Sequence, residues 1–237
     1  MLTESIRVLE EYFKWPYCGH VFIFTNKVTL KDIQQHSFTE ILSHKNAVHN
    51  HGHSLAMSIF NAMFTCADGL EGKKILDVGG STGCFSFLAT EAGANVTMVE
   101  KDPERTTVSK AMAEIRGLKV EIINDSIQNY LDSTTETYDC AFMLNMFDQM
   151  LREDEVSAWK ALKQISERCK MLFLMMGPTK QMPTVRGIET GNPPILGAAI
   201  EVFNKPDYEV ICENTNYKSG ETIATHIYGN RHLQAYW

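Results

Sequence analysis

The stretch Lys74-Ile75-Leu76-Asp77-Val78-Gly79-Gly80-Ser81-Thr82-Gly83-Cys84-Phe85-Ser86-Phe87 decides how the rest of the chain is read. An apolar run ends in a carboxylate, a glycine-rich turn follows at once, and a helical stretch opens behind it. Glycine permits positive φ and lets a ligand approach the backbone, while the unpaired amides at a helix start offer hydrogen-bond donors. The turn therefore reads as a binding turn. Gly79, Gly80 and Gly83 do not fall on the Gly-x-Gly-x-x-Gly spacing of a dinucleotide fingerprint, and the Gly-Lys-Ser/Thr ending of a phosphate-binding P-loop is missing.

Working outward, short apolar runs alternate with longer helical stretches, which is the pattern of a parallel sheet covered by helices on both faces. Strands are expected at Lys74–Val78, Asn95–Val99, Lys119–Ile123, Cys140–Leu144, Met171–Met176, Tyr208–Glu213 and Thr222–Tyr228, with helices near 83–92, 104–115, 153–168 and 196–204. Only Asn214–Glu221 separates the last two strands, too little for a crossover helix, so they should form an antiparallel hairpin after six crossover-linked strands.

Residues 1–54 behave differently. They hold six of the eight histidines and balance five acidic side chains against five basic ones. Val21–Phe24 reads as a short strand, and Thr29-x-x-Asp32 and Ser37-x-x-Glu40 have the spacing of helix capping boxes. Two helices in tandem invite a helix-turn-helix reading, but the segment has too little positive charge to favour DNA. A helix from Leu55 to Cys66 then leads into the first strand, which divides the chain into a cap or substrate segment, 1–54, and a core, 55–237.

The chain of 237 residues is 44% hydrophobic and 22% charged, with a net charge of −7, ordinary for a globular protein and unlike a nucleic-acid coat or a polybasic membrane anchor. No run approaches the roughly 20 apolar residues of a membrane span, and Met1-Leu2-Thr3-Glu4-Ser5 lacks the basic start of a secretory signal, so a cytoplasmic protein is expected. Its six cysteines (18, 66, 84, 140, 169 and 212) include no Cys-x-x-Cys pair and read as reduced thiols.

Two further strand ends complete the pattern. Val96-Thr97-Met98-Val99-Glu100 places an acid 17 residues after Gly83, and Ile122-Ile123-Asn124-Asp125-Ser126 ends the next strand with polar side chains. Ligands of open α/β sheets bind at such carboxyl ends. With these three motifs the chain resembles the class I S-adenosylmethionine-dependent methyltransferases, whose loop is acid-x-Gly-x-Gly-x-Gly; this copy has Gly80-Ser81 in the middle. The Asp77-Val78-Gly79-Gly80 wording also looks like the plant small-molecule O-methyltransferases, which are longer and carry an N-terminal dimerisation domain.

The resemblance implies an α/β fold: a seven-stranded, mostly parallel, Rossmann-like sheet with a C-terminal antiparallel hairpin, helices on both faces and an N-terminal α/β cap. It implies S-adenosylmethionine as cofactor, with Asp77, Gly79, Gly80, Ser81 and Gly83 in the loop. Glu100, beside Lys101, would take the ribose hydroxyls, Asp125 and Ser126 the adenine, and Asn145 would lie in the loop facing the methyl. The plainer readings are that Asp77 caps the following helix, that Glu100 is a solvated acid, and that Asp125 starts a turn.

Methyl transfer is an in-line displacement served mainly by alignment, with a base to take the acceptor's proton. Asp148, after the fourth strand, is one candidate. His51 and His53, in the run His49-x-His51-x-His53, are the others. Alternating histidines would share one face of an extended segment, and a polar loop or a catalytic or substrate-binding role is preferred to a metal site. Asn192-Pro193-Pro194-Ile195 resembles the signature of amino-methylating nucleic-acid enzymes, but it follows no apolar strand and lacks an aromatic residue. A turn before a proline-started helix explains it better. Gly177–Asn192 is a long loop with Lys180, Gln181 and Arg186, suited to covering a substrate.

The expectation is thus methyl transfer to an oxygen or nitrogen of a small-molecule acceptor. Its rivals are an RNA or tRNA methyltransferase, on the strength of Lys180, Arg186, Lys205, Lys218 and Arg231, and a cofactor-binding scaffold without turnover. Neither the acceptor nor the oligomeric state can be read from the residues.

Overall fold

The computed structural model describes residues 2–12, 30–37, 39–40, 60–61, 63–176, 209–218 and 221–229. They fall into two compact units, Met1–Ser126 and Ile127–Trp237. Val21–Phe24, the histidines at 49, 51 and 53, the loop 177–192, Asn192–Ile195, the helix expected near 196–204, and Lys180, Arg186, Lys205 and Arg231 all lie outside the described residues.

In the first unit, β1 (Lys74–Val78), β2 (Asn95–Glu100) and β3 (Val120–Asn124) run parallel in the order β3-β2-β1. From Ile75 to Val78 every residue of β1 is buried, the mark of a strand covered on both faces, whereas β3 keeps partly exposed side chains. The register sets Asp77 beside Met98, and Glu100 beside Asn124. Consecutive strand ends therefore sit side by side, and each sequence motif is delivered to one edge.

This unit contains the helices α1 (Leu2–Tyr12), α2 (Leu30–Gln35), α3 (Cys84–Glu91) and α4 (Pro103–Arg116), and residues 63–66 are also helical. α4 shows why its sequence is helical there. Asp102 accepts the amides of Glu104 and Arg105, Pro103 occupies the first turn, and Gly117 closes the helix at φ 64°. α1 packs on α4, burying Leu9, and the Ser5 hydroxyl donates to Glu114 at 2.5 Å. Ser37 and Glu40 form the capping box expected of them, with the Ser37 amide 2.7 Å from Glu40 Oε2 and the Glu40 amide 3.0 Å from Ser37 Oγ.

The second unit contains α5 (Ile127–Ser133), β4 (Tyr138–Leu144), α6 (Phe147–Glu153), α7 (Glu155–Arg168), β5 (Cys169–Met176), β6 (Glu209–Lys218) and β7 (Glu221–Gly229). β4 and β5 are parallel, β7 is antiparallel to β5, and β6 pairs antiparallel with β7 at the edge. β6 reaches Lys218 and β7 begins at Glu221, so most of the segment expected as a connection is strand. The helix expected near 153–168 is α7, which starts two residues later. Asp154 leaves helical geometry at φ −155° and accepts the amides of Val156 and Ser157, which ends α6 and caps α7.

Phe142 and Phe173 face each other across β4 and β5 with ring centroids 5.7 Å apart, and Phe147 meets Trp159 at 5.0 Å, both edge to face. Cys66, Cys84, Cys140 and Cys169 are buried and form no disulfide among the described residues. Among the described residues no helix is long and apolar enough to cross a membrane.

Candidate functional site

The site is built from the ends of β1, β2 and β3. β1 carries Asp77 inward until it is only 3% exposed, and Asp77 Oδ2 accepts the Ser86 hydroxyl at 2.6 Å. Ser86 lies in the first turn of α3, whose own cap, Gly83, has no side chain to offer. The helix-capping explanation for Asp77 is therefore part of its role. Burial pushes the Asp77 carboxyl up to about 6; the Ser86 hydrogen bonds work against that rise, and the charge of Glu100 adds to it.

Between Asp77 and α3 the backbone turns through left-handed geometry at three positions: Gly79 at φ 67°, Ser81 at φ 54° and Gly83 at φ 93°. Ser81 bears a Cβ in a conformation that costs an L-residue about 1 kcal/mol. Two of the glycines answer to the protein's own packing. A Cβ on Gly80 would stand 2.6 Å from Met98 Cγ and 2.9 Å from Asp77 Oδ2, and one on Gly83 would stand 2.5 Å from the Phe87 ring. Close approach of a ligand is not needed to explain them.

Glu100 organises the turn. It is 4% exposed, so the solvated-acid reading fails. Its Oε2 accepts the Ser81 amide and its Oε1 the Asp102 amide, both at 2.9 Å. An ionised carboxylate has about four lone-pair directions, so each oxygen keeps capacity for another donor. Gly79 donates to the Val99 carbonyl at 2.8 Å, and Ser109 Oγ lies 3.2 Å from the Ser81 carbonyl, although 2.5 Å from that of Arg105. The Ser81 peptide is thus gripped on its N–H side and approached on its C=O side. Thr82 Oγ1 is buried with no partner among the described residues.

At the third strand end Asp125 Oδ1 accepts the Ser126 amide at 2.7 Å, which is the turn its sequence also allowed, and the Asp125 amide reaches the Glu100 carbonyl at 3.2 Å. Asp125 and Ser126 are half-buried, whereas Lys101 is exposed. Asn124 Nδ2 donates to the carbonyls of Glu100 at 3.0 Å and Lys101 at 3.1 Å, tying β3 to the end of β2. Sequence reasoning missed Ser86, Ser109 and Asn124. Their one legible signal is a serine or asparagine in an otherwise apolar or strand-ending position, which identifies no partner.

Residues 75–170 match the family model described as a methyltransferase domain. The chain is 32% identical over 111 residues to a ubiquinone biosynthesis O-methyltransferase of Actinobacillus pleuropneumoniae, which covers 45% of this chain and 47% of that protein. It is 29% identical over 119 residues to the Haemophilus ducreyi protein of the same name, covering 48% and 50%. The chain thus spans about half the length of the curated relatives it matches. A magnesium protoporphyrin IX methyltransferase from Synechocystis with bound S-adenosylmethionine superposes with a TM-score of 0.58 at 13% identity, over 94% of this chain and 96% of that one. A putative RNA methyltransferase from Pyrococcus horikoshii gives 0.54 at 19% identity, over 77% and 85%. At these identities the structures establish the α/β, Rossmann-like fold.

The matched segment extends into the second unit, where Asn145 directly follows β4. This residue has φ 55°, and its carbonyl accepts Gln149 Nε2 at 2.9 Å. Asp148, in the first turn of α6, is 8% exposed and pairs with Arg152, whose Nη2 is 3.1 Å from Oδ2. Burial raises the Asp148 carboxyl above its ordinary value against the pull of the Arg152 charge. A carboxylate so placed is a stronger base than a solvated one.

Proposed function

We propose that this chain is an S-adenosylmethionine-dependent methyltransferase acting on an oxygen or nitrogen of a small-molecule acceptor. The observation that carries the reading is the buried Glu100 carboxylate, locked by the Ser81 and Asp102 amides beside a left-handed turn and still able to accept hydroxyl donors. The ribose of the cofactor offers two such hydroxyls. The residues fit the group on a further count: Thr82 Oγ1, in the same turn, is buried with no partner among the described residues, as a group that a bound ligand satisfies would be. Asp77, poised near neutrality by burial, suits the cationic amino-acid end, and Asp125 with Ser126 the adenine edge.

When bound, S-adenosylmethionine supplies a methyl group on a sulfonium, already activated for displacement. The protein aligns and excludes water, and a base takes the acceptor's proton. Asp148 is assigned that role on its raised proton affinity, with His51 and His53 as the alternatives carried by the sequence. Residues 1–54 are assigned as the cap over the acceptor, and the seven-stranded sheet expected for the core is supported by the antiparallel pairing of β6 with β7.

A small acceptor is favoured because the relatives are named for ubiquinone biosynthesis and a structural neighbour for magnesium protoporphyrin IX. A net charge of −7 also provides no excess of cations to neutralise a phosphate backbone. The test is calorimetric titration with S-adenosylmethionine and S-adenosylhomocysteine. Micromolar binding, weakened by about 1.5–3 kcal/mol in Glu100→Ala, is expected. A folded protein that binds neither compound ends the methyltransferase reading, and RNA affinity that falls steeply with salt would move the acceptor to RNA.

A further inference from the structure

One of the two amides that hold the Glu100 carboxylate belongs to a peptide that is itself gripped from its other side. The peptide joining Lys101 to Asp102 donates its N–H to Glu100 Oε1 at 2.9 Å, and its carbonyl accepts Asn124 Nδ2 at 3.1 Å. A trans peptide is planar, with C=O and N–H on opposite sides, so fixing the carbonyl also fixes the direction in which the amide points. The same Asn124 nitrogen donates to the Glu100 carbonyl at 3.0 Å, where the Asp125 amide arrives at 3.2 Å. Asn124 lies opposite Glu100 on the last rung between β2 and β3, and its side chain carries the pairing one peptide beyond that rung. Asparagine suits the task because its amide puts two N–H groups on one nitrogen, one for each carbonyl; a serine or threonine hydroxyl has one donor and an aspartate none. Asn124 is exposed, so core packing does not account for it.

We propose that Asn124 is a positioning residue for ribose recognition, orienting the Lys101–Asp102 peptide and, through it, the Glu100 carboxylate. The inference rests on the cofactor reading above, in which Glu100 takes the ribose hydroxyls, and goes beyond it by assigning a residue that acts through Glu100. Hydrogen bonds in series polarise one another, and a side chain held in one geometry by its supporting contacts binds with less reorganisation. Without Asn124 the amide on Oε1 loses its guide, while the Ser81 amide still holds Oε2. The carboxylate then turns about one fixed oxygen and stays in the site. The loss should therefore fall on the ribose hydroxyls and not on the cofactor as a whole.

The test uses the full chain as wild type, Asn124→Asp, Asn124→Ala, Glu100→Ala and the two double variants. Calorimetric titration is run with S-adenosylhomocysteine and with its 2′-deoxy and 3′-deoxy analogues. Wild type should bind the intact ribose about tenfold more tightly than the analogues. Asn124→Asp keeps the shape of the side chain but sets oxygens against the two carbonyls. It should weaken S-adenosylhomocysteine about tenfold and the analogues by no more than about twofold, so that the preference for the intact ribose collapses. Asn124→Ala removes the donors without adding repulsion; it should show a smaller loss of the same kind, and it carries the comparison if Asn124→Asp does not fold. In the Glu100→Ala background neither substitution should weaken binding further, because the group being positioned is gone. A residue that only ties the strands together would weaken all three ligands alike, with or without Glu100, and that result overturns the proposal. Wild type that binds the deoxy analogues as tightly as S-adenosylhomocysteine removes the ribose from Glu100 and the proposal with it. Wild type that binds none of the three defeats the cofactor reading itself, a result distinct from any difference among the variants.

Discussion

Replacing Asp77 by asparagine should stabilise this protein at neutral pH while weakening its binding site. The Asp77 carboxyl is 3% exposed and is pushed by burial from an ordinary value of 3.8 up to about 6. Each unit of such a shift corresponds to about 1.4 kcal/mol, so ionising Asp77 in the folded state costs about 3 kcal/mol more than in the unfolded chain. The folded state binds the proton more tightly, so stability falls as pH rises from about 4 to about 6 and levels off above that range. The Asp77→Asn side chain has nothing to ionise. Its amide oxygen can still accept the Ser86 hydroxyl that now lies 2.6 Å from Asp77 Oδ2. Any mismatch between its NH₂ group and the first turn of α3 would add an offset independent of pH. The quantity to measure is therefore the change with pH in the stability difference between variant and wild type. Urea unfolding followed by circular dichroism at intervals across this range should show the variant gaining roughly 2–3 kcal/mol on wild type between about pH 4 and about pH 7. A difference that stays flat across that range would refute the burial argument. A difference that changes in the opposite direction would show that the folded state prefers the charged carboxylate.

Under the proposed function, affinity for S-adenosylmethionine should strengthen as pH rises through about 6 in wild type and show no such rise in Asp77→Asn, measurable by calorimetry in matched buffers. Gly83→Ala should destabilise the fold by roughly 2–4 kcal/mol, because φ 93° and a Cβ 2.5 Å from the Phe87 ring are penalised together; a loss below about 1 kcal/mol in urea would show that the turn relaxes. Asp148→Asn should lower kcat at least about a hundredfold with the cofactor Kd unchanged, and the acidic limb of the wild-type kcat profile should lie above the ordinary carboxylate range. Alanine at His51 or His53 should reduce turnover only if one of them, and not Asp148, takes the proton, so single-turnover rates of the three variants separate the candidates.

The alternation of apolar runs with helical stretches was legible because hydrophobic periodicity is local: β1 and the bounds of α3 and α4 are recovered to within a residue or two. Ser37-x-x-Glu40 announced its capping box, since those contacts span three residues, whereas the caps of α4 at Asp102 and Gly117 were found only in the structure. The helix expected near 153–168 is α7 to within two residues, but the short helix α6 before it was missed, and only the cap geometry at Asp154 separates the two. The three strand-end motifs were visible as acids after apolar runs, and a parallel register necessarily brings such ends to one edge.

Tertiary structure decided what those acids do. Glu100 takes the amides of Ser81, 19 residues before it, and Asp102, while Asp77 finds Ser86, nine residues ahead, because the turn folds β1 back onto α3. No spacing rule identifies such pairs, which depend on which neighbour the sheet brings into hydrogen-bonding reach. The glycines divide in the same way. Sequence alone marked the turn as one needing freedom in φ, but only packing showed that Gly80 yields to Met98 and Asp77, that Gly83 yields to Phe87, and that Ser81 holds a left-handed conformation without glycine's exemption. The sequence by itself thus determined the order of elements and the edge to which the three motifs are delivered, through short-range periodicity and capping. Protonation, hydrogen-bond partners and strain were decided by the tertiary structure, because each depends on solvent exclusion and on atoms distant in the chain.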